Sequence, residues 1–356
     1  MAGRAVDQRL RGEDEAEPDQ RVPILTPGLP MNTRERVAYA KERDPDGLRG
    51  NRSTSKPALA ESEHQRHHTR VRGDLPSVTA VIVAFARAAA TLAPMTKPRF
   101  EDAAARGLLP FGVSALVDTG ARFARGRQTL LRLVSLGLVD HLALRSLAID
   151  DAVLASDAEQ IVILGAGLDA RAVRLRRSPG ARFFEVDHPN SQRWKRSRLA
   201  AARTPCASDG AVYVPVDFTC QSLATELTAA GFARGLSSMF VWEGVTMYLP
   251  RATTVQTLRD LAVLAMPGSR VALTYMETPR RPVPASLRTI LDAGLGVIGE
   301  PLGSTYAADE MGGLLDAHGF DRVSDEASDC WAERYDGNAT LGRAFRGERL
   351  AVAVRR

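Results

Sequence analysis

Cysteine is scarce in this chain, and no long apolar run occurs near its start. The 356 residues include three cysteines, which are far apart and form neither a Cys-x-x-Cys pattern nor a Cys/His cluster. A disulfide framework and a bound metal are therefore not expected, and a reducing cytoplasm is the expected compartment. The apolar stretch at 78–86 is too short to span a bilayer, and the first twenty residues lack the apolar core of a secretory signal. We expect a soluble protein with no membrane contact.

An excess of one charge is also missing. The chain has 47 basic and 42 acidic residues, and a net charge of +5 is small for this length. A dedicated nucleic-acid-binding protein is therefore not indicated. Lysine is rare as well, because 43 of the 47 basic residues are arginine. That bias is typical of a GC-rich genome and suggests a bacterial source.

Residues 1–74 differ in composition from the rest of the chain. They hold 27 charged residues, six prolines and one aromatic residue, Tyr39. Such a segment buries too little apolar surface to offset the entropy lost on ordering. We predict a disordered N-terminal arm over 1–74 and one folded domain over 75–356.

The folded part is predicted to be an α/β domain. Short runs rich in Val, Ile and Phe alternate with stretches of helical length, which is typical of βαβ units and a mostly parallel sheet. The predicted strands are 160–164, 182–186, 212–214, 238–242, 270–275, 320–325 and 349–354. The predicted helices between them are 171–177, 192–202, 221–230 and 252–265. No helix is predicted between the last two strands, so we expect an antiparallel C-terminal hairpin at one edge of the sheet.

The stretch before the first strand has little β character. Helices are predicted from Ser77 onward and at about 100–105, 112–123 and 129–147. We therefore divide the domain into an N-terminal helical cap over 75–155 and a sheet core over 156–356.

Candidate ligand contacts follow the predicted strands, because ligands bind at the carboxyl ends of parallel strands. The first strand is followed by Gly165, Ala166 and Gly167, where the glycines allow a tight turn and close backbone approach. This Gly-x-Gly pattern also fits a dinucleotide-binding enzyme or a simple strand–helix turn. Ala170 stands where the dinucleotide fingerprint has its third glycine, which weakens the dinucleotide interpretation.

Three acidic residues follow the next strands. Asp187 comes 22 residues after Gly165, the distance at which a βαβ unit places an acid against ribose hydroxyls. Asp217 with Phe218 fits an adenine, since a carboxylate accepts from the exocyclic amine and the ring packs on the base. Glu243 ends a strand that is otherwise apolar, and a charge there needs a partner or a ligand. Helix capping is the alternative role for both aspartates, and core packing is the alternative for Phe218.

Arg145 lies just before the first strand, where its guanidinium could clamp a carboxylate with two parallel hydrogen bonds. An exposed helical arginine is the alternative. Taken together, the Gly-x-Gly turn, the three acids and this arginine match a ligand with adenosine at one end and an amino acid at the other. S-adenosyl-L-methionine is such a ligand, whereas the pyrophosphate of NAD gives no reason for Glu243.

These motifs, in this order, resemble those of the leucine carboxyl methyltransferase-like family of S-adenosylmethionine-dependent O-methyltransferases. The resemblance covers roughly 77–355 and is carried by Gly165-Ala-Gly-Leu-Asp-Ala-Arg171, Glu185-Val-Asp187-His-Pro189, Asp217-Phe218 and Glu243-Gly-Val-Thr-Met-Tyr248-Leu-Pro250. The chain departs from the family pattern at Ala170, where Thr is common, at Phe218, where Leu is common, and across 95–110.

The resemblance implies a class I methyltransferase fold with a Rossmann-like sheet. It further implies that Asp187 holds the ribose of the cofactor and that Asp217 and Phe218 hold the adenine. Glu243 would face the methionine amino group, and Arg145 would bind its carboxylate. Arg87 looks like a further basic contact to the cofactor from the first helix.

We therefore expect an S-adenosylmethionine-dependent O-methyltransferase that acts on a carboxylate or phenol of a small molecule. A carboxylate acceptor is already ionised near neutral pH, so no catalytic base is assigned. Tyr248 and Tyr275 could shape the acceptor pocket, and 278–305 could form a lid over it. An NAD(P)-dependent oxidoreductase and a non-catalytic S-adenosylmethionine-binding protein are the alternatives, and the sequence does not indicate the oligomeric state.

Overall fold

The computed structural model describes residues 76–92, 96–122, 135–175, 180–201, 210–218, 220–279 and 303–356. The predicted N-terminal arm over 1–74 lies outside the described residues. So do residues 280–302, which make up most of the predicted lid.

The described part alternates helices and strands. Its helices are α1 Val78–Leu92, α2 Ala105–Leu108, α3 Phe111–Arg122, α4 Leu138–Leu154, α5 Arg171–Arg174, α6 Pro189–Ala201, α7 Leu223–Ala229, α8 Arg251–Leu264, α9 Ala308–Ala317, α10 Ser328–Arg334 and α11 Ala339–Ala344. Its strands are β1 Gln160–Leu164, β2 Arg182–Asp187, β3 Val212–Pro215, β4 Ser238–Trp242, β5 Arg270–Met276, β6 Phe320–Ala327 and β7 Glu348–Arg355.

The seven strands form one mixed sheet in the order β3-β2-β1-β4-β5-β7-β6. Strands β1 to β5 run parallel, whereas β7 pairs antiparallel with both β5 and β6. The chain moves outward from β1 to β3 and then returns to place β4 on the other side of β1. This reversal is the topological switch point at which open α/β sheets bind ligands. The expected α/β fold with a mostly parallel sheet is confirmed.

Each predicted strand is found within two residues of its predicted ends. The antiparallel pairing of the last two strands and their position at one edge of the sheet are confirmed, whereas the expectation that no helix lies between them is wrong. Helices α10 and α11 join β6 to β7, and α10 buries Trp331 and Ala332. A helix of seven residues is too short to give a clear periodic pattern.

Other helix predictions also need correction. The helix expected at 100–105 instead begins at Ala105, whose N–H donates to the Asp102 carboxylate at 3.0 Å. The helix expected at 129–147 begins at Leu138 after Gly137 and continues to Leu154, while residues 129–134 lie outside the described residues. Helix α9 was not predicted, since Gly312 and Gly313 lower the helical propensity of that stretch.

Alternate residues of β1 pack on opposite faces of the sheet. Ile161 and Ile163 join a core cluster with α1 and α4, whereas Val162 and Leu164 join a second cluster with α7, α8 and α9. The alanine-rich helix α1 contributes to the first cluster and also to a third one, which it shares with α2 and the Leu168 turn. Helix α1 is thereby held next to the carboxyl end of β1. Within the described ranges, no helix has both the length and the apolar character needed to cross a membrane.

Candidate active site

A cavity of about 270 Å³ opens at the carboxyl ends of β1, β2 and β4. Its floor comes from the turn after β1 and from the residues that follow β4, and one wall comes from helix α1. Seven of the eight predicted cofactor residues line it together: Arg145, Gly165, Ala166, Gly167, Asp187, Phe218 and Glu243. The cavity thus lies at the switch point of the sheet.

Two glycines with positive φ form the turn after β1. Gly165 has φ 64° and Gly167 has φ 46°, a backbone region that side chains disfavour. A Cβ at Gly165 would also clash with the side chain of Val245, which follows β4. The positive φ explains why glycine occupies both positions, and the lack of space beside Val245 is a second reason at Gly165.

Asp187 ends β2 and faces the same turn. Its carboxylate accepts from the Gly167 N–H at 2.5 Å and from the His188 N–H at 2.6 Å. Burial raises the pKa of Asp187, and these two N–H groups offset part of the rise. A carboxylate has about four acceptor sites, so the two oxygens can still accept from ligand hydroxyls. His188, which directly follows Asp187, also lines the cavity.

The predicted adenine pair is divided by the structure. Phe218 lines the cavity, whereas Asp217 is not among the described residues of its lining. The Asp217 carbonyl accepts from the backbone N–H groups of Cys220 and Gln221 at 3.1 and 2.9 Å, and its own N–H donates to the Gln221 side chain. This bonding places the backbone of Asp217 in a turn that leads to α7.

Glu243 is surrounded by three arginines. Its side chain is 6% exposed, and its oxygens accept from Arg87 at 2.9 and 3.0 Å, from the Arg145 Nε at 2.9 Å, and from Arg171. Burial alone would raise the pKa of Glu243. The guanidinium groups of Arg171, Arg87 and Arg145 outweigh burial and hold that pKa well below its usual range. The partner that a buried charge requires is therefore supplied by the protein itself.

Each of these arginines comes from a different part of the chain. Arg87 lies on α1 and also donates to the Ser146 hydroxyl at 3.2 Å. Arg171, at the start of α5, also pairs with Asp169 and with Asp150, whose oxygen is 2.7 Å from the Arg171 Nε. Arg171 and Asp169 both belong to the Gly165–Arg171 motif, although no role was predicted for either residue.

Arg145 lies on α4 and connects Glu243 to a second carboxylate. Its Nη1 donates to Glu348 at 2.8 Å, and Glu348 also contacts the His141 Nε2 at 2.6 Å. Burial would raise the pKa of Glu348, but the Arg145 charge and the His141 hydrogen bond lower it to about 2. Sequence reasoning missed both Glu348 and His141, because no local pattern relates residues about 200 positions apart.

The two tyrosines considered for the acceptor pocket lie in different places. Tyr248 lines the cavity. Tyr275 is not among the described residues of the lining. It is fully buried, and its hydroxyl donates to Asp325 at 2.8 Å. Among the residues that the structure describes, no three His, Cys, Asp or Glu side chains are grouped as metal ligands.

The sequence profile of the family described as leucine carboxyl methyltransferase matches residues 80–262, just over half of the chain. A Mycobacteroides abscessus protein named as an S-adenosyl-L-methionine-dependent methyltransferase is 31% identical over 242 residues, which are 61% of this chain and 75% of that protein. Proteins of the same name from Parafrankia and Mycobacterium avium are 39% and 34% identical over 37% and 56% of this chain. The matched region covers 43% of the Parafrankia protein and 64% of the Mycobacterium avium protein, less than two thirds in both cases.

Similarity to solved structures is weaker. An O-methyltransferase family protein from Burkholderia thailandensis aligns with a TM-score of 0.41 and 16% identity over 66% of this chain and 62% of that one. Magnesium protoporphyrin IX methyltransferase from Synechocystis aligns with a TM-score of 0.41 and 13% identity over 62% of this chain and 87% of that one. Scores in this range do not establish a shared fold, so the fold assignment depends on the strand order given above.

Proposed function

The chain belongs to the leucine carboxyl methyltransferase family and is an S-adenosylmethionine-dependent methyltransferase; from that premise we propose that its methyl acceptor is an oxygen of a small molecule, a carboxylate or a phenol. The observation that carries this proposal is the buried cluster of Glu243 with Arg87, Arg145 and Arg171 on the cavity floor, next to the glycine turn. The NAD(P)-dependent alternative loses its support, because the family match includes the glycine turn.

The cavity fits the cofactor at several points. The glycine turn leaves room for a ligand close to the backbone, and Asp187 retains acceptor sites for the ribose hydroxyls. Phe218 offers a ring for the adenine, and we assign the neighbouring Asp217 to the same base. Gly244 has φ 66°, and a Cβ there would stand 3.8 Å from the Arg145 guanidinium, so a glycine keeps the space over that group open.

The methionine end of the cofactor carries one positive and one negative charge. We assign its carboxylate to Arg145 and its amino group to Glu243. Because Glu243 already accepts from three guanidiniums, an ammonium group can bind there when one of them turns away. Arg87 is the arginine best suited to turn away. Arg145 and Arg171 are each hydrogen-bonded to a second carboxylate, whereas the second carboxylate near Arg87, that of Asp169, is 3.7 Å away.

When bound, S-adenosylmethionine supplies a methyl group that its sulfonium has already activated. The protein then has to orient the acceptor oxygen and exclude water, and orientation alone contributes on the order of 7–11 kcal/mol. Helix α1 closes one side of the cavity with Ala80 and Val83, which keep water from that wall.

Ion pairing on the cavity floor favours a carboxylate over a phenol as the methyl acceptor. Asp169 and Glu243 line the cavity, but both are paired with arginines and are poor proton acceptors. An acceptor that is already ionised needs no base from the protein. A phenol would need one, or a lowered pKa of its own.

Two measurements test this function. Calorimetry should detect binding of S-adenosylmethionine and S-adenosylhomocysteine but not of NADH, and binding of NADH alone would refute the assignment. A screen of small carboxylic acids and phenols with methyl-labelled cofactor should then show label transfer. Mild alkali releases methanol from a methyl ester but leaves a phenol ether intact, so it separates the two acceptor classes. Cofactor binding without transfer to any acceptor would support a non-catalytic binding protein instead.

A further inference from the structure

The guanidinium of Arg145 is held by carboxylates on two sides. Its Nε donates to Glu243 at 2.9 Å, and its Nη1 donates to Glu348 at 2.8 Å. The side chains of all three residues are less than a tenth exposed. The Arg145 Nη2 also lies 2.9 Å from Glu243. A planar group held by carboxylates from two separate segments of the chain cannot rotate freely.

Glu348 reaches this position because of the sheet topology. It is the first residue of β7, and it pairs with Met276, the last residue of β5. It is therefore at the same end of the sheet as Glu243, two strands away from it in the order β4-β5-β7. The antiparallel C-terminal strand thus delivers a carboxylate to the cavity end of the parallel sheet.

His141 holds Glu348 in turn. It lies one helical turn before Arg145 on α4, so both side chains share one face of that helix. Since the Glu348 carboxylate only accepts, the His141 Nε2 carries the proton of their 2.6 Å hydrogen bond. The imidazole stacks on Phe345 with a centroid distance of 4.5 Å and lies 5.9 Å from Trp331. Its Nδ1 has no hydrogen-bond partner among the described residues, and its Nε2 is bonded to Glu348.

We propose that Glu348 and His141 are positioning residues that orient Arg145 for the carboxylate of S-adenosylmethionine. The inference rests on the proposed function, because it concerns the end of the cofactor that we assigned to Arg145. Neither residue lines the cavity among the described residues, so both act through Arg145 rather than by touching the cofactor. Removal of Glu348 leaves the Arg145 guanidinium with one carboxylate and a choice of orientations.

Two ligands distinguish this role from a general structural one. S-adenosylhomocysteine has the amino acid portion of the cofactor, whereas 5′-methylthioadenosine lacks it. A residue that orients Arg145 should affect the first ligand and spare the second. A residue that only stabilises the fold should affect both ligands together or neither.

The test uses Glu348→Gln, which keeps the size of the side chain and removes its charge. Calorimetry on the full chain should show that S-adenosylhomocysteine binds roughly tenfold more weakly, the effect of a charged hydrogen bond, while 5′-methylthioadenosine binds as before. Glu348→Ala should lower the first affinity further, and His141→Phe, which keeps the stacking, should lower it less than Glu348→Gln does.

Tyr335→Phe is the matched control. The Tyr335 hydroxyl donates to Asp151 at 2.7 Å, so it also joins the C-terminal segment to α4, but it does not contact Arg145. This variant should change neither affinity. Equal losses for both ligands in Glu348→Gln, or no loss for either, would overturn the inference. Failure of the unsubstituted protein to bind either ligand would instead refute the proposed function.

Discussion

Charged side chains that are almost completely buried surround the end of the cavity near Glu243. Isolated buried charges are costly, and removal of one partner from a buried pair typically costs about 3–5 kcal/mol. Here each charge has opposite neighbours, since Glu243 meets three arginines and Arg171 meets three carboxylates. Most of this cluster is therefore required for stability whether or not a ligand is bound. At the scale of single residues, the informative substitutions are those on the cavity wall but outside the cluster.

Asp187 is such a residue, and Asp217, which lies outside the cluster but is not among the described residues of the lining, offers a comparison. Asp187→Asn should weaken binding of S-adenosylhomocysteine at least tenfold, because it removes a charged acceptor from the wall of the cavity; hydrogen bonds to charged groups are worth roughly 1.5–3 kcal/mol. Asp217→Asn should have a smaller effect, since Asp217 is not among the described lining residues. Calorimetry measures both affinities. Retained affinity in Asp187→Asn would remove the assigned ribose contact.

At the scale of elements, the turn from β1 to α5 has the strictest backbone requirement. It combines two glycines of positive φ with contacts to the segments that follow β2 and β4. Helix α1 closes the opposite side, where a Cβ at Gly167 would approach the Ala80 Cβ to 3.3 Å. Small residues on both elements let the helix lie close to the turn.

Gly165→Ala tests this requirement. The substitution should lower the free energy of unfolding by about 1–3 kcal/mol, since a non-glycine residue is strained at φ 64°, and the clash with Val245 adds to that strain. It should also weaken binding of S-adenosylhomocysteine. Urea denaturation and calorimetry measure the two effects. Gly112→Ala on α3 is the control, because no described residue beyond the adjoining backbone of that helix lies within 4 Å of the added Cβ. Equal stability of the two variants would contradict the explanation.

At the scale of the whole molecule, long-range ion pairs join α1, α4, the segment after β4 and the last strand. Arg87 of α1 reaches Glu243 after β4, and Arg145 of α4 reaches Glu348 in β7. These contacts bring together residues that are 156 and 203 positions apart. Loss of the charge on one carboxylate should therefore weaken the attachment of separate parts of the domain.

The contribution of Glu348 to the free energy of unfolding should depend on pH. Its pKa in the folded protein is about 2, below the ordinary value of 4.5. A lowered pKa means that the carboxylate stabilises the fold above pH 4.5 and that this stabilisation is lost as the pH falls toward 2. The difference in free energy of unfolding between the unsubstituted protein and Glu348→Gln should thus shrink over that range, by up to about 3 kcal/mol. Denaturation at a series of pH values measures it, and a constant difference would argue against an ionised Glu348.

The sequence alone was sufficient for the local features of this protein. The alternation of strands and helices, the glycine turn, and the acids Asp187 and Glu243 at the carboxyl ends of β2 and β4 were all predictable, because each depends on residues close together in the chain. Helices α10 and α11 were not predictable, since elements of six or seven residues give little periodic signal. The antiparallel pairing of β6 and β7 was predicted, but the two helices that connect these strands were not.

Only the tertiary structure determined what each charged residue contacts. The sequence predicted that Glu243 needs a partner, but the three arginines that meet it come from α1, α4 and α5. The sequence assigned Asp217 and Phe218 to the same base, whereas Phe218 but not Asp217 is among the described residues that line the cavity. Glu348 gave no signal in the sequence at all. The reason is physical: strand and helix propensities depend on near neighbours, whereas a buried ion pair depends on how distant elements pack against one sheet.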